Sequence, residues 1–189
     1  MARRKTSTAW PCHGLGKADL QPPAKGAPKA NVFMVKTTDG EVFFAYKFAH
    51  PAVAATVAVH DRRRNAYLLV KREKPPFKGR YAFPGGFLDV GRERIEETAA
   101  RELLEETGVR VAPRDLVLID VRSDPKRDPR DHVFDIGYYI EVDGAEASAK
   151  DETLAIRWAS AREINRLRLA FDHNQFWSNI RAHLRSRAR

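Results

Sequence analysis

Three glutamates stand close together in the run Arg101-Glu102-Leu103-Leu104-Glu105-Glu106-Thr107-Gly108. On a helix, Glu102 and Glu106 are one turn apart and Glu105 follows Glu102 by three residues, so all three carboxylates share one side. Like charges at this spacing repel, and a divalent cation removes that cost. Mg²⁺ takes oxygen ligands and shares them with substrate phosphates. Arg101 reaches Glu105 at i,i+4 and is placed to orient a carboxylate. A solvated acidic face is the alternative reading of a bare glutamate-rich stretch, and the context has to decide between them.

That context begins with the elements that must carry the carboxylates. Ile95, Ala99 and Leu103 recur every four residues and Gly108 supplies a stop, which predicts a helix over residues 94–107 with an apolar face for a sheet. Before it, Pro84-Gly85-Gly86 marks a sharp turn where backbone can approach a ligand. Apolar runs at 53–59 and 66–70 predict two strands joined by the charged turn 61–65. Runs at 116–119 and 133–140 predict two more around the charged loop 123–132, and a last strand centres on 155–158. Ser160 and Asp172 are candidate N-caps of two closing helices, the second striped by Phe176, Ile180 and Leu184. Runs at 32–35 and 41–46 flank Thr37-Thr38-Asp39-Gly40 and predict a hairpin.

Length and composition bound the rest. The 189 residues fit one domain with tails, and 43% hydrophobic with 31% charged residues is ordinary for a folded, water-soluble chain. Residues 1–30, with four prolines, three glycines and no apolar periodicity, are expected to form a basic tail. The hairpin is assigned to 31–50 and the main domain to 51–187. No apolar run is long enough for a membrane span, and no signal-peptide core follows Arg3-Arg4-Lys5, so a cytoplasmic location is expected. The single Cys12 allows no internal disulfide. The net charge of +9 would suit a polyanion, but much of it sits at the two ends with no basic-aromatic platform. Nucleic acid is therefore not expected as the partner.

Gly86, Glu93 and the run from Arg101 to Val109 resemble the Nudix box, whose pattern is Gly, Glu, then Arg-Glu-apolar-any-Glu-Glu-any-Gly-apolar. From Glu93 to Val109 the spacing matches. The Gly86 to Glu93 step is one residue longer than usual, and the extra residue is placed near Gly91-Arg92. The resemblance implies the family's α/β (α+β) fold, a mixed sheet sandwiched between helices. It also implies a metal site for Mg²⁺ or Mn²⁺ made by Glu102, Glu105, Glu106 and the Gly85 carbonyl, with Glu93 and Arg101 in the catalytic set. Family members often take the general base from a loop glutamate outside the box, and Glu152 is the candidate here.

Resemblance extends over roughly 51–177. The stretches 68–72 and 76–87, the loop 123–130 with His132-Val133, Asp151-Glu152-Thr153 before Trp158, and Leu169-Ala170-Phe171-Asp172-His173 are similar to the ADP-ribose pyrophosphatase branch and its regulator relatives. This implies a nucleotide substrate cleaved to AMP and ribose 5-phosphate. Candidate substrate contacts are Phe77 or Tyr81 for stacking on adenine, Arg80 in the same motif, and Arg127 and Arg130 for forking onto a phosphate. His173 reads as a hydrogen-bonding group at a helix start. Alternatives are a triphosphate or NADH pyrophosphatase, and a ligand sensor without turnover. The lone cysteine argues against the zinc ribbon of many NADH-cleaving relatives, and the roughly twenty residues after Ala170 are too few for a winged helix. A homodimer could arise by exchange of the N-terminal hairpin, as in related dimers.

Overall fold

A computed structural model describes residues 31–36, 42–47, 51–150 and 153–187. The tail assigned to 1–30 and the candidate base Glu152 lie outside them. The chain divides into two compact units, Met1–His50 and Pro51–Arg189. In the first, strands β1 (Asn31–Lys36) and β2 (Val42–Lys47) pair antiparallel from Asn31 opposite Lys47 to Lys36 opposite Val42.

The second unit is built on β3 (Ala52–Asp61), β4 (Ala66–Arg72), β5 (Tyr81–Ala82), β6 (Gly85–Phe87), β7 (Val117–Arg122), β8 (Val133–Val142) and β9 (Thr153–Ala159). Their order is β5-β4-β3-β8-β7, with β6 added to β3 and β9 to β4. β3 and β8 run parallel along their whole length, from Ala52 opposite Val133 to Asp61 opposite Val142; the other pairs are antiparallel. The sheet is mixed, and its central strands are nearly continuous apolar runs because both faces are covered.

Strand alternation sends Val57, Val59, Leu68, Tyr138 and Ile140 to one face, where they pack on Ala99 and Leu103 of α1 (Ile95–Thr107). Ala58, Tyr67, Leu69 and Tyr139 face the other way, onto Phe176, Trp177 and Ile180 of α3 (His173–Arg187). Burying a side chain such as Leu103 completely contributes roughly 1.5–3 kcal/mol, which fixes the roll of α1 and so the direction of its polar side. A short α2 (Ala161–Ile164) begins at Ser160, whose hydroxyl accepts the Glu163 N–H at 3.3 Å.

Both ends of α1 are tied down. Arg94 N–H donates to the Glu97 carboxylate at 2.8 Å, and Gly108 closes the helix in the left-handed region at φ 75°. The carbonyls of Glu106 and Thr107, which have no partner inside the helix, accept N–H groups of Lys150 at 3.0 Å and Ser148 at 2.9 Å. β5 and β6 were not expected from the sequence; at two and three residues they are too short to show a period.

Candidate active site

Gly85 and Gly86 lie on β6, against β3, and both must lack a side chain. A Cβ on Gly85 would strike backbone of Ala55 and Thr56, and one on Gly86 would occupy the space of the Glu102 carboxylate. The turn therefore brings backbone directly onto the polar side of α1. Gly85 N–H donates to Glu106 Oε2 at 3.0 Å.

Arg101 organises the remaining carboxylates. Its Nη1 donates to Glu102 at 2.7 Å and to Glu105 at 2.9 Å, and its Nη2 reaches the Phe87 carbonyl at 3.1 Å. On its other edge Nε and Nη2 grip Glu93 at 3.0 and 2.8 Å. Glu93 also accepts from Asp89 N–H and the Thr98 hydroxyl, and the Arg101 pair holds its pKa down at about 2. The extra residue ahead of Glu93 is absorbed in an exposed turn at Gly91 (φ 83°) that leaves this grip intact. Burial pushes the Glu102 carboxyl up, against the pull of Arg101.

Glu102, Glu105 and Glu106 line one cavity of about 690 Å³ together with Gly85, Gly86 and Phe87. The donor set is all oxygen and lines this one cavity, with the Glu102 carboxylate seated where Gly86 has no Cβ, which fits a hard divalent cation such as Mg²⁺ or Mn²⁺.

The opposite wall comes from the loop 123–132, β8 and the start of α3. Arg127 was expected to fork onto a phosphate; instead it is buried and forks onto Asp172 (2.8 and 2.8 Å), with a further bond to Asp135 at 2.7 Å. Arg122 joins the same two carboxylates at 3.0 and 2.8 Å, and Thr56 donates its hydroxyl to Asp135 at 2.9 Å. Arg130 also lines the cavity, with Nε and Nη2 on Asp128 at 3.0 and 2.7 Å and its guanidinium over the rings of Phe87 and Phe171.

His173 is the first residue of α3 and lines the cavity. Its Nδ1 accepts the Phe83 N–H at 3.1 Å, which leaves the ring proton on Nε2; burial, then Arg122, pushes its pKa well below the ordinary value, so the ring is neutral. Oxygen and nitrogen atoms of Asp135, Asp172 and His173 lie within 4.8 Å of one another. Two guanidiniums already neutralise the acids of this trio and the Phe83 N–H occupies the imidazole lone pair. The α1 glutamates suit a metal better.

The expected adenine contacts are not brought to the cavity wall. Phe77, at φ 62°, packs edge-on behind Phe171 at 4.9 Å, Arg80 lies over Phe77, and Tyr81 packs against the core. The aromatic rings that do line the cavity include Phe87 and Phe171. Asp135 could have been noticed as a lone acid in an apolar strand, and Phe87 as the neighbour of Gly86; Thr56 and Asp128 carried no signal.

Comparison with known proteins accords with this geometry. The family model described as the NUDIX domain matches residues 50–180. An ADP-ribose pyrophosphatase of Methanocaldococcus jannaschii is 42% identical over 129 residues, 68% of this chain and 72% of that protein. The ADPR responsive transcriptional repressor NtrR of Acinetobacter baylyi is 27% identical, and the match spans 75% of this chain but only 58% of the repressor. Among solved structures, the NUDIX domain of Shewanella oneidensis NrtR complexed with ADP ribose superposes with a TM-score of 0.66 at 25% identity, covering 72% of this chain and 90% of that one. A bifunctional NMN adenylyltransferase/ADP ribose pyrophosphatase of Francisella tularensis, complexed with AMP and a Mn ion, gives 0.64 at 26% identity and covers 72% of this chain and 42% of that one. With the mixed sheet between helices, the glutamates of α1 seated on the Gly85-Gly86 turn and the family model spanning most of the chain, this protein belongs to the Nudix family.

Proposed function

We propose that the protein is a metal-dependent pyrophosphohydrolase that hydrolyses ADP-ribose to AMP and ribose 5-phosphate. The observation that carries this reading is the convergence of Glu102, Glu105 and Glu106 on one cavity beside the Gly85-Gly86 turn. The substrate follows from the 42% identity to an ADP-ribose pyrophosphatase. Water adds across the phosphoanhydride, so that one phosphate leaves with adenosine and the other with ribose.

Glu102, Glu106 and the Gly85 carbonyl would hold Mg²⁺ or Mn²⁺, with Glu105 on the metal or its water. When bound, such an ion neutralises charge on the two phosphates and lowers the pKa of water. Arg101 keeps Glu102 and Glu105 at fixed separation, and Glu93 fixes Arg101. We assign the general base to Glu152. Its described neighbours support this: Lys150 N–H is bonded to the Glu106 carbonyl, and Thr153 pairs with Arg72, which lines the cavity. The base of the nucleotide would stack at the mouth on Phe87, Phe171 and the planar guanidinium of Arg130.

The similarity to NtrR favours a second reading, an ADP-ribose sensor without turnover. The complete set of charged residues expected of a working metal site argues for catalysis. The reading also includes a cytoplasmic location, in line with the single cysteine and with the finding that no helix among the described residues is long and apolar enough to cross a membrane, and a homodimer formed by hairpin exchange. The experiment is a comparison of kcat/KM for ADP-ribose, NADH, diadenosine polyphosphates and nucleoside triphosphates with Mg²⁺. ADP-ribose should lead the series, and a preferred triphosphate or NADH would refute the substrate assignment.

A further inference from the structure

We infer that Asp128 determines the substrate selectivity of the cavity: by holding Arg130 in a two-point pair at the mouth, it withholds the cation a third phosphate would need. The cavity is thereby left to a diphosphate joined to a neutral, hydroxyl-bearing sugar. The inference rests on the ADP-ribose reading for the diphosphate position and adds the feature that selects what hangs from it.

Asp128 has a side chain only 2% exposed, yet it lines the cavity. It accepts from Arg130 three times: from Nε at 3.0 Å, from Nη2 at 2.7 Å and from the backbone N–H at 3.0 Å. A bidentate pair of this kind uses the edge of the guanidinium that would otherwise fork onto phosphate and leaves its flat face for stacking. Its Cζ lies over the Phe87 ring, 4.8 Å from the ring centre, and over that of Phe171 at 5.4 Å. Arg130 is thus placed to stack.

The other cations of the cavity are similarly committed. Arg127 is consumed by Asp135 and Asp172. Arg72 donates through Nε to the Pro76 carbonyl at 2.8 Å and lies over Phe171, and Lys74 also has a partner. Among the described residues lining the cavity, six carboxylates face four cationic side chains. An additional phosphate would bring charge to a wall where Arg127 and Arg130 are already ion-paired and Arg72 and Lys74 already have partners, and burying unpaired charge is costly. A sugar brings no charge of its own, and the wall offers it a donor in the Nε2–H of neutral His173 and an acceptor in the Asp135 carboxylate.

The test is calorimetric titration of the full chain with ADP-ribose and with ATP in EDTA, comparing the ratio of the two Kd values among variants. Wild type should bind ADP-ribose more tightly. Asp128→Asn frees the Arg130 fork and should shift the ratio toward ATP by about tenfold, the scale of one charge-assisted hydrogen bond. Asp128→Asn combined with Arg130→Gln should restore the wild-type ratio. Arg130→Gln alone, at a half-exposed side chain, should not selectively weaken ATP. A ratio unchanged in a cooperatively folded Asp128→Asn, or a selective tenfold loss of ATP binding in Arg130→Gln, would overturn the inference. Because binding is read without metal or turnover, a protein that shows these shifts and cleaves nothing would support the selectivity and refute the enzymatic reading alone.

Discussion

Glu93 and Arg101 meet edge to edge, Nε to Oε2 at 3.0 Å and Nη2 to Oε1 at 2.8 Å, and the third nitrogen of the same guanidinium, Nη1, carries Glu102 and Glu105. The pair lowers the Glu93 pKa from its usual value to about 2. A carboxylate with a depressed folded-state pKa stabilises the fold above its unfolded value, near 4.5, and loses that contribution as pH falls toward 2. Glu93→Gln should therefore be less stable than wild type at neutral pH, and urea midpoints of the two should converge between pH 4.5 and about 2. A gap that stays constant across this range would show that the pair does not titrate with folding.

Gly85 and Gly86 are adjacent, and alanine should act differently at each. At Gly86 the new Cβ meets the end of the Glu102 side chain, which can swing away. Gly86→Ala should change stability by less than about 1 kcal/mol while activity falls about 10- to 100-fold, as when a metal ligand is misplaced. At Gly85 the Cβ meets backbone of β3, so Gly85→Ala should cost about 1–3 kcal/mol of stability as well. Denaturant melts and kcat/KM on both variants separate the two effects.

The helix behind these predictions was readable in the sequence because its information is local. Ile95, Ala99 and Leu103 mark the buried face, Gly108 the stop, and the glutamates follow as the other side. On the opposite wall Arg127 and Arg130 could be named from the sequence, but their carboxylate partners could not. Arg122, Arg127, Asp135 and Asp172 come from β7, the following loop, β8 and the residue before α3, up to 50 positions apart, and only the parallel pairing of β3 with β8 gathers them beside Thr56. The placement of Phe77 and Tyr81 away from the cavity wall has a related reason. Phe77, Tyr81 and Phe87 are close in sequence, but a left-handed residue and two very short strands decide which ring turns to the cavity.

The buried cluster gives a stability prediction. Arg127→Gln leaves Asp135 and Asp172 with less compensating charge inside the protein, and breaking such a network by removing one partner costs about 3–5 kcal/mol. Equilibrium urea unfolding checks this. A loss below 1 kcal/mol would mean that water reaches the cluster and screens it.

The general base is tested by pairing two conservative variants. Glu152→Gln should lower kcat by about 10²- to 10⁴-fold with the metal requirement unchanged. Glu105→Gln should raise the metal concentration needed for half-maximal rate. Wild-type turnover in Glu152→Gln would transfer the role to another group, with Glu105 first in line.

Metal-assisted cleavage of a diphosphate at the α1 glutamates is checked by product analysis of ADP-ribose incubated with the purified protein and Mg²⁺ or Mn²⁺. AMP and ribose 5-phosphate should form in equal amounts, dependent on the metal and abolished by Glu106→Gln. No cleavage with either metal, or equal cleavage by the Glu106→Gln variant, would contradict it.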